Sequence, residues 1–331
     1  MVKIIAPSVQ RLVENEPFKK IELAARTCYQ SWDFMQEGSA KKLFKKLLKR
    51  KHEAMFEHVN FIFSVETPFV WHTLNNCRVF DQRCFLRFSK IYVNNKFRNL
   101  VSGNLRTWRY LFKKFTDDAK SGNTSVIFPA LPSELFEDIN ESNKLVIDCD
   151  EVHFKKIDIK DLTEEELLIH HTETYRFVSN RGFTHELVRH RLCSFAQEST
   201  RYINYSKKGI TVVKPFNFYE TLDEIQKVLN MLSLTAENNY NVSAEKDLIL
   251  WAIGTLLSER IYNDRINLNT PPEFARGNLL IDTKSEIVCT ATLEEWKYIF
   301  SLRISEHAHP MIRNLMEIVK GDLQSLYKIT L

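Results

Sequence analysis

The chain has 331 residues, 44% of them apolar, enough for one large domain or two ordinary ones with a substantial core. A formal net charge of +4 suits anionic small molecules and does not demand nucleic acid. The opening MVKIIAPSVQ is too short and polar for a signal peptide, and no apolar run approaches the ~20 residues of a membrane helix. The six cysteines (Cys28, Cys77, Cys84, Cys149, Cys193, Cys289) are scattered and read as reduced thiols of a cytoplasmic protein.

In chain order, the apolar run 2–6 predicts a first strand, and Phe18, Ile21, Leu23, Ala24 and Ala25 predict a helix over 16–30. Residues 39–51 place Leu43, Phe44, Leu47 and Leu48 on one face and lysines on the other, an amphipathic helix whose basic side is expected to be solvated. Alternation of Val59, Phe61 and Phe63 predicts a strand at 58–66. A turn at Ser102-Gly103-Asn104 is expected to lead into a helix bearing Leu105, Trp108 and Phe112 on one face. Residues 117–160 are polar and mixed, with a weak strand at 144–148.

Thr-x-x-Glu capping boxes predict helix starts at Thr163, Thr221, Thr270 and Thr292, the third with Pro271 at the first helical position. Helices are expected over 222–238, 244–264 and 307–328, and a strand over 285–291. The expected fold class is α/β (α+β), a mixed or antiparallel sheet flanked by helices, with helical weight in the C-terminal half.

The chemistry concentrates in RGFTHELVRHRLCSFAQESTRYINYS, residues 181–206. Read as a helix over 184–196, it buries Leu187 or Val188, Leu192 and Phe195, and puts Glu186 on the face of Arg189 and His190. Arg189 and Arg191 then point to nearly opposite sides, about 200° apart, toward two ligands or two subunits. Gln197, Glu198, Ser199, Thr200 and Arg201 follow as a run of polar groups and N–H donors suited to a phosphate.

Arg189-His190-Arg191, seven residues and then Ser199 resembles the RHR-x7-S signature of flavin-dependent thymidylate synthases. AARTCYQS (24–31), HEAMFEHVNFIF (52–63), PPEFAR (271–276) and FSLRISEHAHPMIR (300–313) resemble further family blocks, with 66–171, including SGNLRTWR (102–109), as an insertion in a single domain. The resemblance implies conversion of dUMP to dTMP, with methylenetetrahydrofolate as one-carbon donor and FAD reduced by NADPH, in a homotetramer with shared active sites. It implies that Glu186, Arg189, Gln197, Glu198, Ser199, Arg201, Arg276 and Arg303 hold the nucleotide, with Arg303, Ser199 and Arg189 as its catalytic members. By the same resemblance His52, Glu57, His190, Arg191, Thr292 and Tyr298 lie on the flavin side. No cysteine nucleophile is implied, so Cys193 is read as a small structural residue.

The pattern departs from the family at the C-terminal end. ARGNLLID (275–282) stands where AR-x-x-LPN is usual, and Ala54, Thr292, Glu294 and Tyr298 replace common polar or basic residues. A carboxylate at Glu294 would repel an anionic reduced flavin, so flavin affinity is affected before nucleotide binding. Other functions compatible with the same scaffold are modification of another pyrimidine nucleotide, such as dCMP, and non-catalytic binding of nucleotide or nucleic acid. A metal site is not expected: His52 and His58 are six apart and share no helix face. Ser199 with His190 lacks the strained elbow of a hydrolase.

Overall fold

A computed structural model of the chain describes residues 2–80, 85–93, 96–120, 131–140, 154–235 and 247–331. The first half runs β1 (Lys3–Ile5), β2 (Ser8–Arg11), α1 (Pro17–Tyr29), α2 (Ser39–Lys49), β3 (Asn60–Val65), α3 (Pro68–Phe80), β4 (Leu86–Val93), β5 (Lys96–Asn104), α4 (Leu105–Lys120), α5 (Glu137–Asn140) and β6 (Phe154–Lys156). The second half runs α6 (Glu164–His170), β7 (Thr172–Asn180), α7 (Arg181–Leu187), β8 (Ser194–Gln197), α8 (Tyr205–Lys208), β9 (Thr211–Val213), α9 (Leu222–Thr235), α10 (Asp247–Asn267), α11 (Pro272–Ala275), β10 (Lys284–Thr292), α12 (Leu293–Arg303) and α13 (Pro310–Tyr327).

The sheet that carries the site has the order β2-β7-β10-β8 and is antiparallel throughout. Its centre is β10, buried along nearly its whole length. Alternation sends Ile287, Cys289 and Ala291 into one core with Trp296, Ile299 and Phe300 of α12 and with α13, while Val288 joins the opposite core with α1 and α2. Covering on both faces buries even the polar residues Ser285, Glu286 and Thr290 of β10. A second antiparallel sheet, β4-β5-β3-β6, packs Phe61, Phe63 and Val65 against Trp108 of α4. The parallel pair β1-β9 packs with α9 and α10 in a third cluster.

Several expectations hold. α2 buries Phe44 and Leu47 to 1% exposure. The Thr163 box forms in full, Thr221 and Glu224 bond reciprocally, and Thr292 caps α12 by accepting from Glu295 N–H. The mixed α/β class with antiparallel sheets is that expected.

Four expectations do not hold. Thr270 caps nothing, because α11 starts one residue later, with extended Pro271 at the cap and Pro272 inside. A residue before proline is driven out of the helical region, and the double proline shifts the start. Ser102-Gly103-Asn104 is not a turn but the end of β5, opposite Ile62, Phe61 and Asn60. A Cβ at Gly103 would come within 2.7 Å of Leu86 Cδ2, so this glycine serves close packing. α10 runs to Asn267, past the expected end at 264. The largest difference is 184–196. α7 ends at Leu187, the chain turns through 188–193, and Ser194–Gln197 leaves as a strand paired with Ile287–Thr290. Leu187 is buried as expected, but Val188 and Leu192 are 37% and 67% exposed. Ladder bonds to β10 outweigh local helix preference over four residues, a tertiary effect that periodicity does not register. The strand read at 144–148, and the parts of the expected helices at 236–238 and 244–246, lie outside the described residues.

Candidate active site

The motif 189–201 straddles the edge strand β8. The Arg189-His190-Arg191 turn precedes Ser194, and Ser199–Arg201 follows Gln197, so about 10 Å of strand separates the two halves.

At the first end, α7 and α12 meet at their C-termini. Asn180 caps α7 by accepting from Phe183 N–H, and buried Leu187 closes it. α12 is anchored by Trp296, Ile299 and Phe300, which leaves Arg303 at its last residue, where a cation is favoured by the helix dipole. Arg303 donates from Nη1 to Glu186 Oε2 (3.0 Å), from Nη2 to the Glu186 carbonyl (3.1 Å) and from Nε to His190 Nε2 (3.0 Å). Accepting at Nε2 leaves the neutral imidazole proton on Nδ1, which faces Glu295 Oε1 at 3.9 Å. His190 is 5% exposed, and burial together with the Arg303 charge lowers its pKa to about 4. The Tyr298 ring stands edge-on to it at 6.2 Å between centroids. Burial also raises the pKa of Glu295.

Arg189 and Arg191 are exposed, and among the described residues neither guanidinium has a hydrogen bond or ion pair, although the Arg189 N–H donates to the Glu186 carbonyl at 3.3 Å. Arg191 lines a hollow of about 200 Å³ with Glu57, Arg87, Arg106 and Leu192. Glu57 accepts from Arg106 Nη1 at 2.5 Å. Thr292 is 2% exposed and committed to its cap.

At the second end, Gln197 donates to the Thr184 and Ser285 hydroxyls at 2.9 and 3.3 Å. Glu198 is buried: Oε1 accepts from Tyr205 Oη, and Oε2 from Glu286 N–H and Lys284 Nζ (2.9 Å). Ser199 N–H donates to the Cys28 carbonyl, which ties this loop to α1. Arg276 Nη1 donates to Thr200 Oγ1 at 2.9 Å. Arg201 is exposed, with its guanidinium 5.3 Å from the Tyr202 ring. Tyr202 lies 6.1 Å from Tyr29, and the Tyr29 hydroxyl is 2.6 Å from His52 Nδ1.

The structure therefore groups the expected residues in four places: Glu186, His190, Arg303 and Tyr298; Arg191 with Glu57; Glu198 with Gln197 nearby on the same strand end; and Arg201 with Tyr202, Tyr29 and His52, beside Ser199, Thr200 and Arg276. Residues not singled out from sequence include Glu295, Lys284 and Arg87. Lys284 also holds Glu286 (2.7 Å), and no local pattern announces it. Tyr29 stands inside a block already marked by the resemblance, and Arg106 inside the SGNLRTWR stretch of the insertion. Among the described residues no His/Cys/Asp/Glu group could hold a metal ion. No described helix is long and apolar enough to cross a membrane.

The family model for the thymidylate synthase complementing protein matches residues 11–99 and 159–326. The flavin-dependent thymidylate synthase of Pyrococcus furiosus is 29% identical over 166 residues, covering 48% of this chain and 59% of that protein. That of Pyrococcus abyssi is 28% identical over 198 residues, covering 57% and 68%. That of Corynebacterium diphtheriae is 28% identical over 174 residues, covering 49% and 62%. The chain thus spans about three fifths to two thirds of the length of these relatives. A UMP/dUMP methylase PolB from Streptomyces cacaoi, solved with 5-Br UMP, aligns with 98% of this chain and 92% of its own, at 12% identity and a TM-score of 0.39, a likeness too low to bear on function. With the family model matching most of its length on both sides of 100–158, the chain belongs to the thymidylate synthase complementing protein family.

Proposed function

We propose that this chain is a flavin-dependent thymidylate synthase, converting dUMP to dTMP with methylenetetrahydrofolate as one-carbon donor and FAD reduced by NADPH, in a homotetramer whose subunits share sites. The observation that carries this reading is the Glu186–Arg303–His190 group, a cation held in a fixed orientation beside a neutral imidazole, inside a chain of this family.

Arg303 remains cationic with part of its charge offset by Glu186. A fixed guanidinium there stabilises negative charge developing on a pyrimidine without reorganising. His190, neutral above about pH 4, adds no second positive charge and keeps a proton at Nδ1. Arg201 and Arg276, either side of Ser199 and Thr200, supply the forked donors that phosphate oxygens accept bidentately. Arg189, unpaired and exposed, is available to a second anion. Separation of the two halves of the motif by β8 suits a site completed by a second copy.

The residues fit a flavin dinucleotide on donor chemistry. Arg87, Arg106 and Arg191 around one hollow, which Glu57 also lines, match its diphosphate, and His52 and Tyr298 are further flavin-side groups by the family resemblance. Bound flavin supplies the hydride that completes the methyl group. Thr292 serves this side indirectly, as the cap that sets α12 and so Tyr298 and Arg303.

The test is a visible absorption spectrum of the purified protein with FAD, followed by titration with dUMP. Flavin bands that change with dUMP support the reading. Failure to bind FAD at millimolar concentration contradicts it, and a response to dCMP but not dUMP would reassign the substrate.

A further inference from the structure

α2 carries cations on both flanks of its buried stripe, and the fold treats the flanks differently. On one flank Lys41 and Lys45 are neutralised by Glu134 and Glu137, at 2.8 and 3.1 Å. On the other, Lys42, Lys46 and Arg50, spaced i, i+4 and i+8, line a cavity of about 460 Å³, and none has a carboxylate partner among the described residues. Buried Leu47 and half-buried Leu43 and Tyr29 also line the cavity, with exposed Phe34 at its rim. Arg26, also in its wall, is already matched by Glu22 at 2.7 Å. Like charges stacked along one helix face cost stability unless something anionic answers them.

The cavity is not remote from the candidate active site. Tyr29 forms its inner wall, touches His52 through its hydroxyl, and packs against Tyr202 next to Arg201. The Tyr29 hydroxyl feels the positive charge of both Arg50 and Arg201. A ligand lying in the cavity therefore has one end between the flavin-side histidine and the nucleotide-side arginine, and the other among three unanswered cations. A one-carbon donor needs that arrangement: a flat ring system at the reacting end and an acidic tail pointing away.

We propose that the α1–α2 cavity receives the aminobenzoyl-glutamate tail of the folate co-substrate, with Lys42, Lys46 and Arg50 pairing with its carboxylates. This rests on the synthase reading above. Successive carboxylates of an oligoglutamate tail meet cations one helical turn apart, about 6 Å, so affinity rises with the number of glutamates.

The experiment compares the wild type with the triple variant Lys42→Gln, Lys46→Gln, Arg50→Gln, and with a control, Lys41→Gln, Lys45→Gln, on the opposite flank. Steady-state KM is measured for mono- and triglutamyl methylenetetrahydrofolate, dUMP and NADPH. Calorimetry gives the affinity of triglutamyl tetrahydrofolate for the FAD- and dUMP-loaded protein. The expected result is a lower wild-type KM for the triglutamate, a rise of about 10- to 100-fold in the triple variant, loss of the mono/tri preference, and matching loss of affinity. The control, kcat and the KM for dUMP should move less than about twofold. An unchanged mono/tri preference in the triple variant, alongside normal turnover, overturns the tail assignment and leaves the synthase reading standing. A rise in the NADPH KM instead also overturns it, by giving the cavity to the reductant. Absence of any flavin response to dUMP in the wild type would instead strike the synthase reading.

Discussion

Replacing Arg303 by alanine should retune His190, and the structure gives the sign. The His190 pKa sits at about 4 for two reasons, burial first and the Arg303 charge second. Arg303→Ala removes the charge and the donor to Nε2, leaves burial in place and frees Glu186 nearby. All three consequences of losing the cation favour protonation. The pKa should rise by about 1 unit, short of the solution value of about 6.5 because desolvation persists. At pH 5 the imidazole would go from roughly one-tenth to about half protonated. The histidine Cε1–H resonances, followed by NMR from pH 7.5 to 4.5 and assigned with His190→Gln, report this directly. Identical midpoints in both proteins, or a wild-type midpoint near 6.5, would refute the electrostatic account of the site.

Acid should destabilise the fold before carboxylates titrate. His58, His170 and His190 have pKa values lowered to about 3, 4 and 4, chiefly by burial, while the unfolded chain binds their protons near 6.5. Stability they contribute is complete above 6.5 and is lost as pH falls toward 4, at up to about 1.4 kcal/mol per pH unit for each. Glu173, lowered to about 2 against its own burial by bonds from His171, Arg11 and Tyr327, adds a loss only below about 4.5. Urea midpoints at pH 7 and 5 check this, and equal midpoints would contradict it. Gly103→Ala, which drives a methyl to 2.7 Å from Leu86, should cost about 1–3 kcal/mol by the same assay. Lys284→Met strips the cation from buried Glu198 and Glu286 and should cost about 3–5 kcal/mol; a shift under 0.5 kcal/mol would show that Arg176 and Tyr205 suffice.

Much of the fold was legible where one physical signal dominated. The stripe of Leu43, Phe44, Leu47 and Leu48 found α2, and Thr163, Thr221 and Thr292 found three helix starts, because caps and stripes are local. β2, β7 and β8 were not read, nor were the paired strands β4 and β5: β2, β7 and β8 are set by pairing partners far along the chain. The helix read through 184–196 failed for that reason, since only the ladder to Ile287–Thr290 makes Ser194–Gln197 extended. At the site, residue types were legible and groupings were not. Glu186 was tied from sequence to Arg189 and His190, yet its carboxylate bonds Arg303, which lies 117 positions away. Lys284 and Glu295 gain their roles only from the register of β10 and the start of α12.

The central claim is tested most directly by isotope release from the pyrimidine C5 position. [5-³H]dUMP and [5-³H]dCMP are incubated with the protein, FAD, NADPH and methylenetetrahydrofolate, and tritium in water is counted. The account predicts release from dUMP that depends on all three additions and is lost in Arg303→Ala. No release from dUMP by flavin-loaded protein would contradict it.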